Sequence, residues 1–179
     1  MPMPMPTRSS TTVFALAALA LVAALGLAGP ANARAGAAAS DWINTEQTAV
    51  RLISATRATG TGASVVAGLH FRLQEGWKIY WRSPGDAGFP PQLDWSASDN
   101  LALARVDWPA PVRFSILGFE SMGYKDEVVL PITATVNESG RPLRLRVDLK
   151  YLTCKDICIP YETKIGLDIA AGLPAPSAF

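Results

Sequence analysis

The sequence predicts an all-β fold, a sandwich of two sheets. Three observations predict it. Some eight short segments alternate apolar and polar residues with period two, no stretch of useful length keeps a helical period, and 14 Gly and 14 Pro punctuate the chain between segments. Five Trp, six Phe and four Tyr supply core material and exclude a disordered chain. The 179 residues suit one domain. Sixteen basic against 15 acidic side chains leave a net charge of +1, which excludes a nucleic-acid binder relying on a clustered basic excess. One His and two Cys narrow metal chemistry and His-dependent catalysis from the outset.

The first element is not part of the fold. Val13 to Ala28 is an uncharged apolar run of about 16 residues, short for a spanning helix, which needs ~20. Gly29-Pro30 and the small-x-small site Ala31-Asn32-Ala33 follow, so residues 1–33 read as a signal peptide, with a second cleavage option at position 35. An uncleaved anchor is the alternative, and both the length of the run and the cleavage signal speak against it. Cleavage removes Arg8 and leaves basic and acidic residues equal in number. Export also places the two cysteines in an oxidising compartment, where disulfides persist.

Residues 34–44 read as a linker, 45–170 as the folded domain and 171–179 as a tail or the start of another linker. Within the domain, residues 49–57 alternate with Val50 and Leu52 on one face, and 59–62 form a turn. Residues 64–74 set Val65, Ala67, Leu69, Phe71 and Leu73 against Val66, Gly68, His70 and Arg72. Gly76 breaks the pattern and 77–81 resume it with aromatics. Residues 83–91 (SPGDAGFPP) are expected to be an unpaired loop. Short strands are expected at 93–95, 101–108 and 112–116, then at 128–136, 143–151 and 164–169. Asn137 to Gly140 reads as a hairpin turn between two of them.

Cys154 and Cys158 stand four apart in Tyr151-Leu-Thr-Cys-Lys-Asp-Ile-Cys-Ile-Pro160. In an extended strand their Cα atoms would lie ~13 Å apart. A disulfide needs roughly 4.4 to 6.8 Å, so the chain must turn sharply if they bridge, and Pro160 limits how soon it pairs again. As a staple, a closed loop of about five residues contributes only about 2 kcal/mol. As a redox pair, one thiolate attacks a partner's disulfide and the other resolves the mixed disulfide, which a short spacing serves. Lys155 favours a thiolate and Asp156 opposes it. Spacing alone does not choose between staple and redox pair.

Several wider blocks bear on that choice. They are Gly76-Trp-Lys-Ile-Tyr-Trp-Arg-Ser-Pro-Gly-Asp-Ala-Gly88, Pro90-Pro91, Trp95, Trp108-Pro-Ala-Pro111, Gly123-Tyr124, Val128-Val-Leu-Pro131 and the cysteine segment itself. Together they resemble the N-terminal periplasmic domain of the DsbD/ScsB thiol:disulfide interchange family over about residues 45–170. The cysteine spacing resembles the ScsB-like branch more, because the DsbD branch spaces the pair more widely.

The resemblance implies an immunoglobulin-like sandwich in the periplasm, acting as a protein-disulfide reductase relay and needing no cofactor or metal. Cys154 and Cys158 would be the exchange pair, with Cys158 attacking partners and Cys154 resolving. A membrane-embedded thiol reductase would donate electrons and thioredoxin-like periplasmic proteins bearing disulfides would accept them, in settings such as cytochrome c biogenesis or copper tolerance. Nucleic acid is not among the expected partners, and the domain is expected to be a monomer. A cap loop shields the pair in the family. Residues 114–124 (FSILGFESMGY) occupy the corresponding stretch, which makes Phe119 the cap residue and Tyr124 and Tyr151 modulating neighbours alongside Lys155 and Asp156. Relay proteins continue into a membrane domain and a thioredoxin-like domain, so this chain is either a free-standing domain or a piece of a longer protein.

Other residues admit other chemistry. His70 could ligate a metal, although a single strand His is more often packed. Cu(I) could recruit Cys154, Cys158 and Met122, whose soft sulfurs suit it. Trp77, Tyr80 and Trp81 could stack a sugar, although strand aromatics usually pack. Asp86 is expected to tie a turn through its side chain. Arg144 and Arg146 read as a solvated strand face. An interaction module with a purely structural disulfide is the reading from a different class.

Overall fold

The computed structural model describes residues 1–3, 38–116 and 118–179. The apolar run and cleavage sites expected of a signal peptide lie in residues 4–37, outside the described residues. Among the described residues eleven strands form and no helix does. They are β1 (Ile43–Asn44), β2 (Thr48–Ser54), β3 (Ser64–Leu73), β4 (Lys78–Gly85), β5 (Gln92–Asp94) and β6 (Leu101–Val106), followed by β7 (Val112–Ile116), β8 (Phe119–Lys125), β9 (Glu127–Val136), β10 (Leu143–Cys154) and β11 (Cys158–Ile169).

Two antiparallel sheets result. The first runs β1-β2-β3-β9-β6 and the second β11-β10-β4-β8-β7, with β5 also pairing β10. Alternation decides what lies between them. Val50, Leu52, Leu69, Phe71, Leu130 and Ile132 project from the first sheet into one buried cluster, meeting Ile79, Leu145, Leu149 and Ile165 from the second. The result is the all-β sandwich expected from the alternation, an architecture shared by immunoglobulin-like folds.

The strand boundaries differ from expectation where tertiary pairing overrides local punctuation. Residues 83–85, expected in a loop, continue β4 after a register shift that sets Gly85 opposite Ser121. The stretch expected as cap, residues 114–124, falls largely in two strands, the end of β7 and β8, and β8 pairs with both β4 and β7. Pro160 does not delay pairing. It sits opposite Leu152 in β11, an edge strand, where a missing backbone donor is tolerated. Asn137 to Gly140 is not a hairpin turn, because β9 lies in the first sheet and β10 in the second. The segment crosses between sheets, and Asn100 holds it by accepting from the Glu138 N–H (2.8 Å) and donating to the Glu138 and Pro142 carbonyls.

Both flanks are joined to the first sheet. In the stretch expected as linker, Ala39 bridges Ile53, Ser40 N–H donates to Leu52 O (2.9 Å), and β1 pairs with β2. In the tail, Arg57 N–H donates to Ala175 O (2.9 Å) and Ser177 N–H to Ala55 O (3.0 Å).

Candidate functional site

β10 and β11 pair in unbroken register from Leu143↔Ile169 to Cys154↔Cys158. The chain turns over Lys155, Asp156 and Ile157, with Lys155 N–H donating to Ile157 O (3.0 Å). This hairpin reduces the extended-chain separation to a Cα–Cα distance of 4.1 Å, and the two sulfurs are bonded. The disulfide therefore joins directly opposed residues at the end of the longest ladder among the described residues.

Period two decides which face it occupies. Tyr151 and Leu149 point between the sheets, so Leu152 and Cys154 point to the outer face of the second sheet. The next strand repeats the division, with Ile79 facing inward and Tyr80 outward. A second, small cluster forms there from Tyr80, Phe114, Ile116 and Cys154, with Leu152 against it. The loop after β4 covers part of this face: Ser121 Oγ donates to Ala87 O (3.4 Å), and Glu120 N–H donates to Asp86 Oδ2 (3.2 Å). Asp86 thus fastens the loop to β8.

The two sulfurs have different surroundings. Cys154 has no exposed surface, while Cys158 is exposed on the hairpin. Tyr80 is also buried, and its hydroxyl donates to Cys154 Sγ at 3.1 Å while lying 3.8 Å from Cys158 Sγ. Burial raises the Tyr80 pKa above that of a free phenol, so it stays protonated at neutral pH. The ring is clamped. Phe114 lies 6.0 Å away centroid to centroid, and a Cβ on Gly88 would come within 2.2 Å of the phenol carbon bearing the hydroxyl. Gly88 has φ 90°, so a side chain there meets both a steric clash and a disfavoured backbone. Gly123, opposite Tyr80, is equally constrained, because its Cβ would lie 2.0 Å from Ile79 O.

The residues singled out around the pair divide by face. Phe119 lies opposite Ile116 across the β7–β8 turn, so it shares the face of Ile116 and Phe114, and it is 53% exposed. Lys155 reaches to the turn before β4: its ammonium approaches Glu75 O (3.5 Å) and its stem lies over Gly76. The cation opposite Cys154 is instead Lys78, whose ammonium donates to Gly76 O (2.7 Å) and lies 5.7 Å from the Phe114 ring centre. Asp156 is exposed in the turn.

Tyr124 and Tyr151 face the main core, away from the disulfide. Tyr124 donates to Pro109 O (2.9 Å), and burial pushes its pKa up to about 12. Tyr151 shares a hydrogen bond with Thr48 Oγ1 (2.5 Å) and stacks on Tyr161. Sequence reasoning missed Tyr80 and Gly88 as neighbours of the pair, while Phe114 falls at the start of the stretch expected as cap. The signal for Tyr80 was present in its alternation with Ile79, but the facing of β4 and β10 was needed to read it.

The remaining candidates are dispersed. Met122 alternates with Ser121 and Gly123 and so lies on the opposite sheet face from the sulfurs. His70 is on the first sheet, with Nδ1 accepting from Arg51 Nε (3.3 Å), Nε2 bonded to Glu127 Oε1 (2.5 Å) and Trp42 beside its ring. Both ring nitrogens are occupied by protein partners. Trp77, Tyr80 and Trp81 form no shared platform, because Tyr80 and Trp81 point to opposite faces of β4. Arg144 and Arg146 pair with Asp99 and Asp168 at the surface.

Comparison with known proteins bears on the same pair. The family described as "Thiol:disulfide interchange protein DsbD, N-terminal" matches residues 47–168. Among solved structures, the N-terminal periplasmic domain of ScsB from Proteus mirabilis is similar with a TM-score of 0.63 and 31% identity, covering 75% of this chain and 53% of that one. The chain thus spans about half the length of that relative. The DsbD N-terminal domain of Neisseria meningitidis in its reduced form is a more distant match, with a TM-score of 0.36 and 15% identity over 70% of this chain and 90% of that one. No curated protein matches the chain. With its family match running through most of the sandwich and both cysteines, the chain belongs to the family of DsbD N-terminal domains.

Proposed function

We propose that this domain works in the periplasm as a thiol–disulfide exchange unit. It passes reducing equivalents from a membrane-embedded thiol reductase to disulfide-bearing, thioredoxin-like partner proteins. The observation that carries the reading is the asymmetry of the pair, one sulfur residue exposed on a hairpin tip and the other buried behind it. In the reduced domain Cys158 attacks a partner disulfide, forming a mixed disulfide and releasing one partner thiol. Cys154 then attacks Cys158 Sγ, the partner's second thiol leaves, and the Cys154–Cys158 bond is restored. Phe119, half exposed on the same face, acts as the cap that shields the pair between encounters.

The test is to equilibrate the domain in glutathione buffers and to quantify both cysteines by alkylation and mass spectrometry. A midpoint between about −280 and −180 mV marks a pair poised for exchange. A pair still oxidised below about −300 mV is a structural staple, and the reading fails. Single Cys→Ser variants then trap the partners: Cys154→Ser is expected to accumulate mixed disulfides through Cys158.

A further inference from the structure

We propose that Tyr80 is a catalytic hydrogen-bond donor that makes Cys154 the leaving sulfur whenever the disulfide is reduced. The inference rests on the exchange reading above and adds the direction in which the bond opens. Tyr80 Oη is 3.1 Å from Cys154 Sγ and 3.8 Å from Cys158 Sγ. Its hydrogen-bond partners among the described residues are these two sulfurs. A phenol with 1% exposure has no water to turn to, and Gly88 and Phe114 hold its ring in place.

A disulfide sulfur is a weak acceptor, so the contact contributes little to the oxidised state. A thiolate is a strong one, and a hydrogen bond to a charged acceptor is roughly twice as strong as a neutral one. The donor is already in position before charge develops, which is the arrangement that lowers a barrier rather than only binding a ground state. Without it, a thiolate at the fully buried Cys154 would be costly.

The charging step is then defined. One thiolate of a reducing dithiol attacks Sγ of Cys158, the exposed residue of the pair. The new S–S bond forms there as the Cys154–Cys158 bond breaks, and its electron pair remains on Cys154 Sγ as a thiolate held by the Tyr80 O–H. The donor's second thiol attacks its own sulfur in the mixed disulfide, closes the donor disulfide and releases Cys158. The two donor protons end on the two domain cysteines. The same contact serves the reverse flow, because it raises the thiolate fraction of Cys154 when Cys154 resolves a mixed disulfide.

The experiment compares the full chain with its Tyr80→Phe variant. In a Cys158→Ser background, the Cys154 thiol is titrated by thiolate absorbance. Tyr80→Phe is expected to raise its pKa by about one unit, a tenfold loss of thiolate below that pKa. With both cysteines present, reduction by dithiothreitol is expected to slow about threefold, since the leaving thiolate is poorer. In the wild-type chain, the adduct formed with glutathione is mapped by peptide mass spectrometry and is expected on Cys158.

A folded Tyr80→Phe variant with unchanged Cys154 pKa and unchanged reduction rate overturns the proposal. A glutathione adduct on Cys154 in the wild type overturns it too, and this measurement decides the matter should the variant fail to fold. Failure of the exchange reading looks different: the wild-type pair stays oxidised at strongly reducing potential, whatever Tyr80→Phe does to Cys154.

Discussion

The two faces of the second sheet are built from alternate residues of the same strands, yet they serve different ends. On the inner face, Leu145, Leu149, Tyr151 and Ile79 join a cluster continuous with the other sheet. On the outer face, Leu152, Cys154 and Tyr80 join a cluster of four buried residues closed by Phe114 and Ile116. Each face carries a buried tyrosine with a raised pKa, in both cases chiefly from burial. Tyr151 spends its hydroxyl on Thr48, a contact between the sheets that has no chemistry to perform. Tyr80 directs its own at a sulfur. The two tyrosines stand on neighbouring strands at nearly the same level, and parity decides which face each takes.

That contrast can be broken from either side. The largest effect is expected from Leu149→Ala, which opens a cavity in a fully buried site and costs 2–5 kcal/mol of stability, read by denaturant unfolding. Its exchange potential, measured on the folded fraction, is expected to stay at the wild-type value. Gly88→Ala works from the outer side. Its Cβ meets the Tyr80 ring and its φ of 90° is disfavoured, so about 1–3 kcal/mol is lost. Here the reactivity of the pair is expected to change as well, because the donor is displaced. A Gly88→Ala protein with native dithiothreitol kinetics would show that the outer cluster is only packing.

Replacing both cysteines by Ser removes a cross-link over a loop of about five residues, and about 2 kcal/mol is expected to go with it. Exchange is lost entirely, so this variant separates stability from function most sharply. Phe119→Ala is expected to leave stability within about 0.5 kcal/mol, since half the side chain is already in solvent. Alkylation of the reduced pair by iodoacetamide is expected to accelerate if Phe119 shields it, and an unchanged rate would remove the cap assignment.

The smallest effect on the cysteine pair belongs to the other sheet. Bonds from His70 and then Arg72 hold the Glu127 carboxyl below its ordinary range. Its contribution is therefore present above the unfolded glutamate pKa of about 4.3 and is lost as pH falls through the lower folded value. Because the carboxylate is half exposed, Glu127→Gln is expected to cost under about 1 kcal/mol at pH 7 and less at pH 2. Equal losses at both pH values would mean that packing, not charge, is involved. No change in the exchange potential is expected, since His70 and Glu127 lie on the other sheet.

Much of this was legible in the chain alone, for identifiable reasons. The alternation in residues 64–74 stated which side of β3 faces the main core, and Val65, Ala67, Leu69 and Phe71 join it, although Gly68 and His70 on the other side are buried as well. Abundant aromatics and Gly/Pro punctuation specified sheets rather than helices. The pair at 154 and 158 was conspicuous because there are no other cysteines to confuse it with. These are local signals, carried by residues a few positions apart, and a two-residue period survives whatever the strand later pairs with.

Only the tertiary structure decided the rest. Residues 119–125 look like a loop until β4 and β7 offer their edges, and Pro160 looks like a breaker until β11 proves to be an edge strand. The crossing at Asn137 to Gly140 and the hairpin turn it resembles share the same turn chemistry, and only the placement of β10 in the second sheet tells them apart. The site follows the same rule. Tyr80 and Cys154 are 74 positions apart, and nothing local in either segment records that β4 pairs beside the end of β10. Strand identity is a matter of short-range sterics and hydrophobic period, whereas strand partnership is settled by which buried faces can close over one another. That second decision is what brings a phenol to a sulfur.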